Sequence, residues 1–222
     1  MSFFVTGTDT GVGKTLVSCA LLRAFAAQGL KAAGFKPIAA GQDADGMNDD
    51  AKALLAAGTL PLSYAQVNPV CLAQPIAPHI AAALSGVLIE FGPILGAYRA
   101  LAAMADHVVV EGAGGFRVPL NDGQDSADLA RELGLRVILV VGMRLGCLNH
   151  ALLTAEAIAA RGLTLAGWVA NARDATMPML EENIAALRQR IAAPLLGVVP
   201  FLSVPDATAV RLDVNPLLKG GQ

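Results

Sequence analysis

With 222 residues, the chain has the length of one large domain and can bury a sizeable core. A formal net charge of −2 and the lack of any lysine- or arginine-rich block argue against a nucleic-acid or anionic-membrane partner. Charged residues make up 15%, against roughly 25% in typical soluble domains, and 55% are apolar; this reads either as surface covered by another subunit or as an alanine-rich sequence.

The chain opens with a short apolar strand, Phe3-Phe4-Val5-Thr6, then a turn with glycines at positions 7, 11 and 13, then a helix starting at Lys14 and Thr15 and stopping near Gly29. Strand, glycine-rich turn and helix in that order are the layout of a phosphate-binding P-loop. The glycines admit backbone conformations closed to other residues, so successive N–H groups converge on an anion at the positive end of the helix. Lys14 then reaches the β- and γ-phosphates, and the Thr15 hydroxyl holds Mg²⁺. In the strict motif G-x-x-x-x-G-K-[ST] the first glycine falls at Thr8, whereas Gly7 stands one residue early.

Ala32 to Pro37 reads as a second short strand ending in Lys36, followed by a polar loop over 41–48 and a helix restarting at Asp49-Asp50, acids in its favoured first turn. Residues 59–80 hold four prolines and are expected to be an irregular excursion leading into a helix near 78–85. From there apolar and helical runs alternate: strand 107–112, helix 125–134, strand 136–141, helix 149–161, strand 165–170, helix 178–192 and strand 195–199. The tail from Pro205 onward has little pattern, and no repeat or linker stands out. Strands apolar throughout are buried on both faces, so the expectation is a single α/β domain over 1–222 with a doubly wound, mostly parallel sheet and helices on both faces. Cys19, Cys71 and Cys147 are far apart without a CxxC pair, which argues against a disulfide framework or zinc site. No signal peptide is expected, since a strand begins at once, and no apolar run reaches the roughly 18 residues of a membrane span; the expected location is a reducing cytoplasm.

In open parallel sheets, ligands sit outside the carboxyl ends of the strands, so residues at those ends share a cleft. Glu111 ends a run of three valines beside Gly112-Ala113-Gly114-Gly115, the place for a Mg²⁺-binding or water-ordering carboxylate; the competing reading is a solvated strand-end acid. Lys36 projects from a strand end as a second cation near the γ-phosphate, or else snorkels to solvent. Asp50 is either a second metal carboxylate or a helix-start charge. The segment from Met143 to His150 leads from strand to helix, so its backbone N–H groups either take a substrate carboxylate or, as the favoured reading, form an ordinary helix start. His79, His107 and His150 lack metal-ligand spacing, and Ser18 and Ser63 have no base nearby.

Taken together, these segments closely resemble the dethiobiotin synthetase family over about residues 3–202. The resemblance rests on Val5 to Thr15, Gly34-Phe35-Lys36-Pro37, Val67-Asn68-Pro69, Pro78-His79, Val110 to Gly115, Leu145-Gly146-Cys147-Leu148-Asn149-His150 and Gly167-Trp168-Val169-Ala170-Asn171, and it accounts for the early glycine, which that family shares. It implies an ATP- and Mg²⁺-dependent cyclo-ligase of biotin biosynthesis, a cytoplasmic homodimer joining 7,8-diaminononanoate and CO₂ into dethiobiotin with release of ADP and phosphate. By the same resemblance, Gly11, Val12, Gly13, Lys14, Thr15 and Leu16 hold the nucleotide phosphates, with Gly112, Ala113 and Gly114 nearby, while Thr15, Asp50 and Glu111 hold Mg²⁺. Lys14, Lys36 and Thr10 are implied in catalysis, with Thr10 and Lys36 beside the diamine and its carbamate. Leu145, Gly146, Cys147 and Asn149 match the segment that takes the substrate carboxylate across the dimer, and Asn171, Ala172, Pro200, Phe201 and Leu202 match the adenine edge. Some relatives carry a serine where this chain has Ala40, so one hydroxyl contact is lost or supplied by another group.

Three other classes come into question. Partition and septum-positioning ATPases carry a signature lysine five residues before the Gly-Lys-Thr lysine, where this chain has Asp9. A GTPase is disfavoured by the lack of an Asn-Lys-x-Asp segment, and a corrinoid-amidating relative by the lack of room for a glutaminase domain.

Overall fold

Apolar runs bounded by glycine, proline and polar turns become the strands of a parallel sheet, and the amphipathic stretches between them become its covering helices. A computed structural model describes residues 1–218; the end of the expected domain and tail, 219–222, lies outside the described residues. In chain order the elements are β1 (Ser2–Gly7), α1 (Lys14–Ala27), β2 (Ala32–Phe35), β3 (Ile38–Ala40), α2 (Asp49–Ala57), α3 (Tyr64–Val67), β4 (Val70–Leu72), α4 (Pro78–Leu84), α5 (Phe91–Ala102), β5 (His107–Glu111), α6 (Ser126–Leu133), β6 (Arg136–Met143), α7 (Cys147–Ala160), β7 (Leu165–Ala172), α8 (Leu180–Arg190), β8 (Leu195–Val199) and α9 (Asn215–Leu218).

The main sheet has the order β2-β5-β1-β6-β7-β8, and every pairing in it is parallel. The chain leaves β1 toward one edge and later returns to its other side with β6, so the loops after β1, β5 and β6 open into one crevice. Alternation along β1 feeds both faces: Phe3 and Val5 join the cluster containing Leu21 and Phe25 of α1, while Phe4 joins the cluster containing Ile94 of α5 and Leu129 of α6.

Two features of the proline-rich middle were not anticipated. Strand β4 of the excursion pairs in parallel with β3, which directly follows Pro37, as a second, two-stranded sheet, in strands too short to show a period. Helix α5 was also missed because Pro93 falls inside it. That residue is third in the helix, where its absent N–H has no intrahelical partner to lose.

Helix α2 begins as expected, with the Asn48 side chain accepting from the Ala51 N–H at 3.3 Å. It lies so close to β2 that a Cβ on Gly34 would sit 2.7 Å from Leu54 Cβ and 3.0 Å from its carbonyl oxygen. Since α2 carries Asp50, this close approach also sets a site residue. Gly34→Ala is expected to destabilise the fold by about 1–3 kcal/mol through overpacking, seen as a lower urea midpoint at unchanged m-value.

Candidate active site

Helix α1 starts abruptly because Gly13, with φ of 90°, turns the chain into it. The N–H groups of Gly13, Lys14 and Thr15 donate to no protein acceptor among the described residues, which leaves an anion-binding nest at the positive helix end. Gly13 is doubly required: a Cβ there would come within 2.2 Å of Asn171 Nδ2, which itself donates to the Val12 carbonyl at 2.7 Å. The end of β7 thus buttresses the loop from below. From the side, Asp9 accepts from Arg144 at 2.6 Å and its carbonyl accepts from Lys14 Nζ at 3.3 Å.

Beside the nest, four side chains from four segments converge. Lys36 Nζ donates to Glu111 Oε1 at 2.6 Å and Asp50 Oδ2 at 3.0 Å. Thr15 Oγ1 lies 2.6 Å from Asp50 Oδ1 and 3.0 Å from Glu111 Oε1. Glu111 is 0% and Lys36 3% exposed, so the solvated strand-end acid and the snorkelling lysine are both excluded. The backbone of Lys36 is held from both sides, its N–H donating to the Val67 carbonyl at 2.8 Å and its own carbonyl accepting from Asn68 Nδ2 at 2.6 Å. That gives the Val67-Asn68-Pro69 motif a structural task.

Burial pulls the Lys36 ammonium down, but Glu111 and then Asp50 outweigh it and hold the group above the ordinary lysine range. Burial likewise pushes the Asp50 carboxyl up, and Lys36 with the Thr15 hydroxyl brings it below its usual value. Lys14 has no such direct partner: burial, reinforced by the nearby charge of Lys36, lowers it to about 8.

The donors suit Mg²⁺. Glu111 Oε2 is buried with no hydrogen-bond partner, and two carboxylates with one hydroxyl form a hard oxygen set. Among the described residues no group of three or more His, Cys, Asp or Glu side chains is placed for a metal; few protein carboxylates is the habit of Mg²⁺ that takes other ligands from phosphates and water.

These groups line a cavity of about 1030 Å³, which also takes in Thr10, Gly11, Gly13, Lys14, Leu16, Ala113 and Gly114. Val12, Gly112, Ala172 and Asn171 are buried behind it. Leu145, Gly146, Cys147 and Asn149, together with Pro200, Phe201 and Leu202, lie outside its lining. Within the first group Leu145 is 98% exposed, whereas Cys147 packs with Met143 and Trp168 in the core. Some lining residues escaped notice in the sequence. Cys19 sits one helical turn beyond Thr15, a spacing that was legible. Arg173, Pro205, Ala207 and the wall from Pro75 to Ala77 come from loops without any periodic signal.

A parallel sheet with a glycine-turned loop feeding a helix, and a buried lysine–carboxylate cluster at its strand ends, defines a P-loop nucleotide-binding protein. Among solved structures, the septum site-determining protein MinD complexed with Mg-ADP from Pyrococcus horikoshii OT3 has a TM-score of 0.56 at 18% identity, covering 90% of this chain and 82% of that one. A ParA family ATPase from Chlorobium tepidum TLS has 0.53 at 13% identity, over 90% of this chain and 84% of that one. These likenesses show the fold alone. A family model described as an AAA domain matches residues 1–208. The ATP-dependent dethiobiotin synthetase BioD of Aromatoleum aromaticum is 57% identical over 217 residues, 96% of each chain. That of Cellvibrio japonicus is 56% identical over 222 residues, 98% of this chain and 97% of the other. The chain belongs to the ATP-dependent dethiobiotin synthetase family.

The depressed Lys14 makes nucleotide binding pH-dependent. Its ammonium is lost as pH rises through about 8, and a bound polyphosphate restores it, so affinity falls across that window and binding takes up a proton. Calorimetry in buffers of unlike ionisation enthalpy should read proton uptake at pH about 8.5, where the terminal phosphate is fully ionised and Lys14 is not. The lowered lysine also weakens folding below about pH 8, a penalty relieved as pH rises toward the model-peptide value of 10.5.

Proposed function

We propose that the chain joins 7,8-diaminononanoate, CO₂ and ATP into dethiobiotin, ADP and phosphate, in a Mg²⁺-dependent step of biotin biosynthesis. The observation that carries this reading is the convergence of Lys14 and Lys36 with Thr15, Asp50 and Glu111 in one cavity. An amine of the substrate first captures CO₂ as a carbamate, releasing a proton. A carbamate oxygen then attacks the γ-phosphorus and ADP leaves, giving a carbamic-phosphoric anhydride. The second amine attacks the activated carbonyl, phosphate departs, and the cyclic urea closes.

Each stage brings anions together, and the residues oppose their repulsion. The loop amides of Gly13, Lys14 and Thr15 and the Lys14 ammonium take the β- and γ-phosphates. Thr15, Asp50 and Glu111 are the residues to hold Mg²⁺, which when bound offsets charge on those phosphates. Lys36 and the exposed Thr10 serve the carbamate end of the cavity that both line. Gly11, Val12 and Leu16 with Gly112, Ala113 and Gly114 shape the phosphate channel. Asn171, Ala172, Pro200, Phe201 and Leu202 form the adenine edge.

A homodimer completes the substrate site in this reading, with Leu145, Gly146, Cys147 and Asn149 reaching the partner's substrate carboxylate. The nearly complete exposure of Leu145, with Leu153 of α7 also 56% exposed, supports a covered surface there. A cytoplasmic location accords with three free cysteines, and no described helix is long and apolar enough to cross a membrane.

Phosphate release from ATP should depend on both 7,8-diaminononanoate and bicarbonate, and Lys14→Ala or Lys36→Ala should lower it by about 10²-fold or more. Equal ATP turnover without the diamine would instead favour a nucleotide-driven switch.

A further inference from the structure

We propose that Lys36 is an internal counter-cation that keeps free divalent metal off the Asp50 and Glu111 pair, so that metal enters only together with nucleotide phosphates. The inference rests on the reading that Thr15, Asp50 and Glu111 are the metal-holding residues.

The geometry makes the ammonium and a divalent ion rivals for the same two carboxylates, on which only Glu111 Oε2 is without a partner. Lys36 Nζ bridges Glu111 Oε1 at 2.6 Å and Asp50 Oδ2 at 3.0 Å. Thr15 Oγ1 spans the same two carboxylates, sharing Glu111 Oε1 with the ammonium. A Mg²⁺ ion bonds oxygens at about 2.0–2.1 Å, so an ion on these carboxylates would stand against the ammonium in a buried pocket where like charges repel strongly. The charges also balance without metal: Asp50 and Glu111 contribute two negative charges, Lys14 and Lys36 two positive, and all four groups line the one cavity. A lone divalent ion would leave that cluster with an excess of positive charge, whereas an ion arriving with a polyphosphate brings its own anions.

The scaffold allows the exchange without moving its backbone. Val67 and Asn68 hold the Lys36 main chain from both sides, so release of the ammonium is a rotation of its flexible four-carbon stem. Thr10 and Ala40 line the same cavity as Lys36. Loading of metal with nucleotide thereby frees the cation for the substrate side, coupling the two halves of the site through one side chain.

Binding of Mn²⁺ to the intact protein, followed by electron paramagnetic resonance, separates the possibilities. Without nucleotide, wild type should bind Mn²⁺ weakly, and Lys36→Met should bind it at least about tenfold more tightly, a gain that Asp50→Asn removes. Equal free Mn²⁺ affinity in wild type and Lys36→Met overturns the inference. If Asp50→Asn and Glu111→Gln leave Mn²⁺ binding in the presence of ADP unchanged, the metal-site reading itself fails. Because Lys36→Met leaves two carboxylates without their cation, wild type provides an independent readout. Its buried Lys36 ammonium should give a protected ¹⁵N resonance, identified by its loss in Lys36→Arg, that moves on addition of Mg-ADP. A resonance unmoved by Mg-ADP overturns the exchange.

Discussion

The contact of the buried Lys36 and Glu111 with each other and with the half-exposed Asp50 is the constraint around which the molecule is arranged. Its members come from the end of β2, the end of β5 and the first turn of α2, and Thr15 joins them from the first turn of α1. Withdrawing such charges from water is costly, and leaving one unpartnered inside a protein costs about 3–5 kcal/mol. The four segments therefore have to meet in one arrangement, and the chain supplies backbone devices that hold each of them there.

Those devices are mostly small residues at close approaches. Gly34 lets α2 lie against β2, and Gly13 lets the phosphate loop rest on Asn171. Gly142 does the same on the other flank, where a Cβ would stand 2.7 Å from Val12 Cγ1. Asn68 ties the proline-rich excursion to the Lys36 carbonyl, so the second sheet of β3 and β4 is coupled to the position of the catalytic candidate rather than being a decoration of the surface. Packing of this kind is unforgiving of added volume, which is why the site and the core are one problem here.

The likeness to MinD and ParA structures shows how far architecture alone extends. A parallel sheet with a phosphate loop at its switch point is compatible with many activities. What distinguishes this chain lies in the side chains around the loop. Asp9 is tied to Arg144 of the β6–α7 connection, so the P-loop is bound to its own chain by an ion pair at the position where partition ATPases carry a lysine. The second cation comes instead from Lys36, in a pocket shared with two acids.

Much of this was legible in the amino-acid order. The P-loop, the apolar strands and the acids opening α2 are local signals, since glycine conformation, period and helix capping act over a few residues. The strand at Val108 to Glu111 needed no tertiary information because its valines suit burial on both faces, whereas Leu195 to Val199 forms as expected but at the sheet edge, with Val198 38% exposed. That Glu111 and Lys36 belong to one cleft also followed, because strand ends in a parallel sheet face the same way. Only the three-dimensional packing decided that Lys36 lies between two carboxylates, that Lys14 is left with a depressed proton affinity, and that the Asn171 side chain donates to the Val12 carbonyl of the phosphate loop. It also decided the short sheet of β3 and β4, and the placing of Arg173 and Pro205 on the cavity wall. Such facts depend on distances between segments remote in sequence, and the electrostatics of a buried group is set by whichever neighbours the fold brings to it.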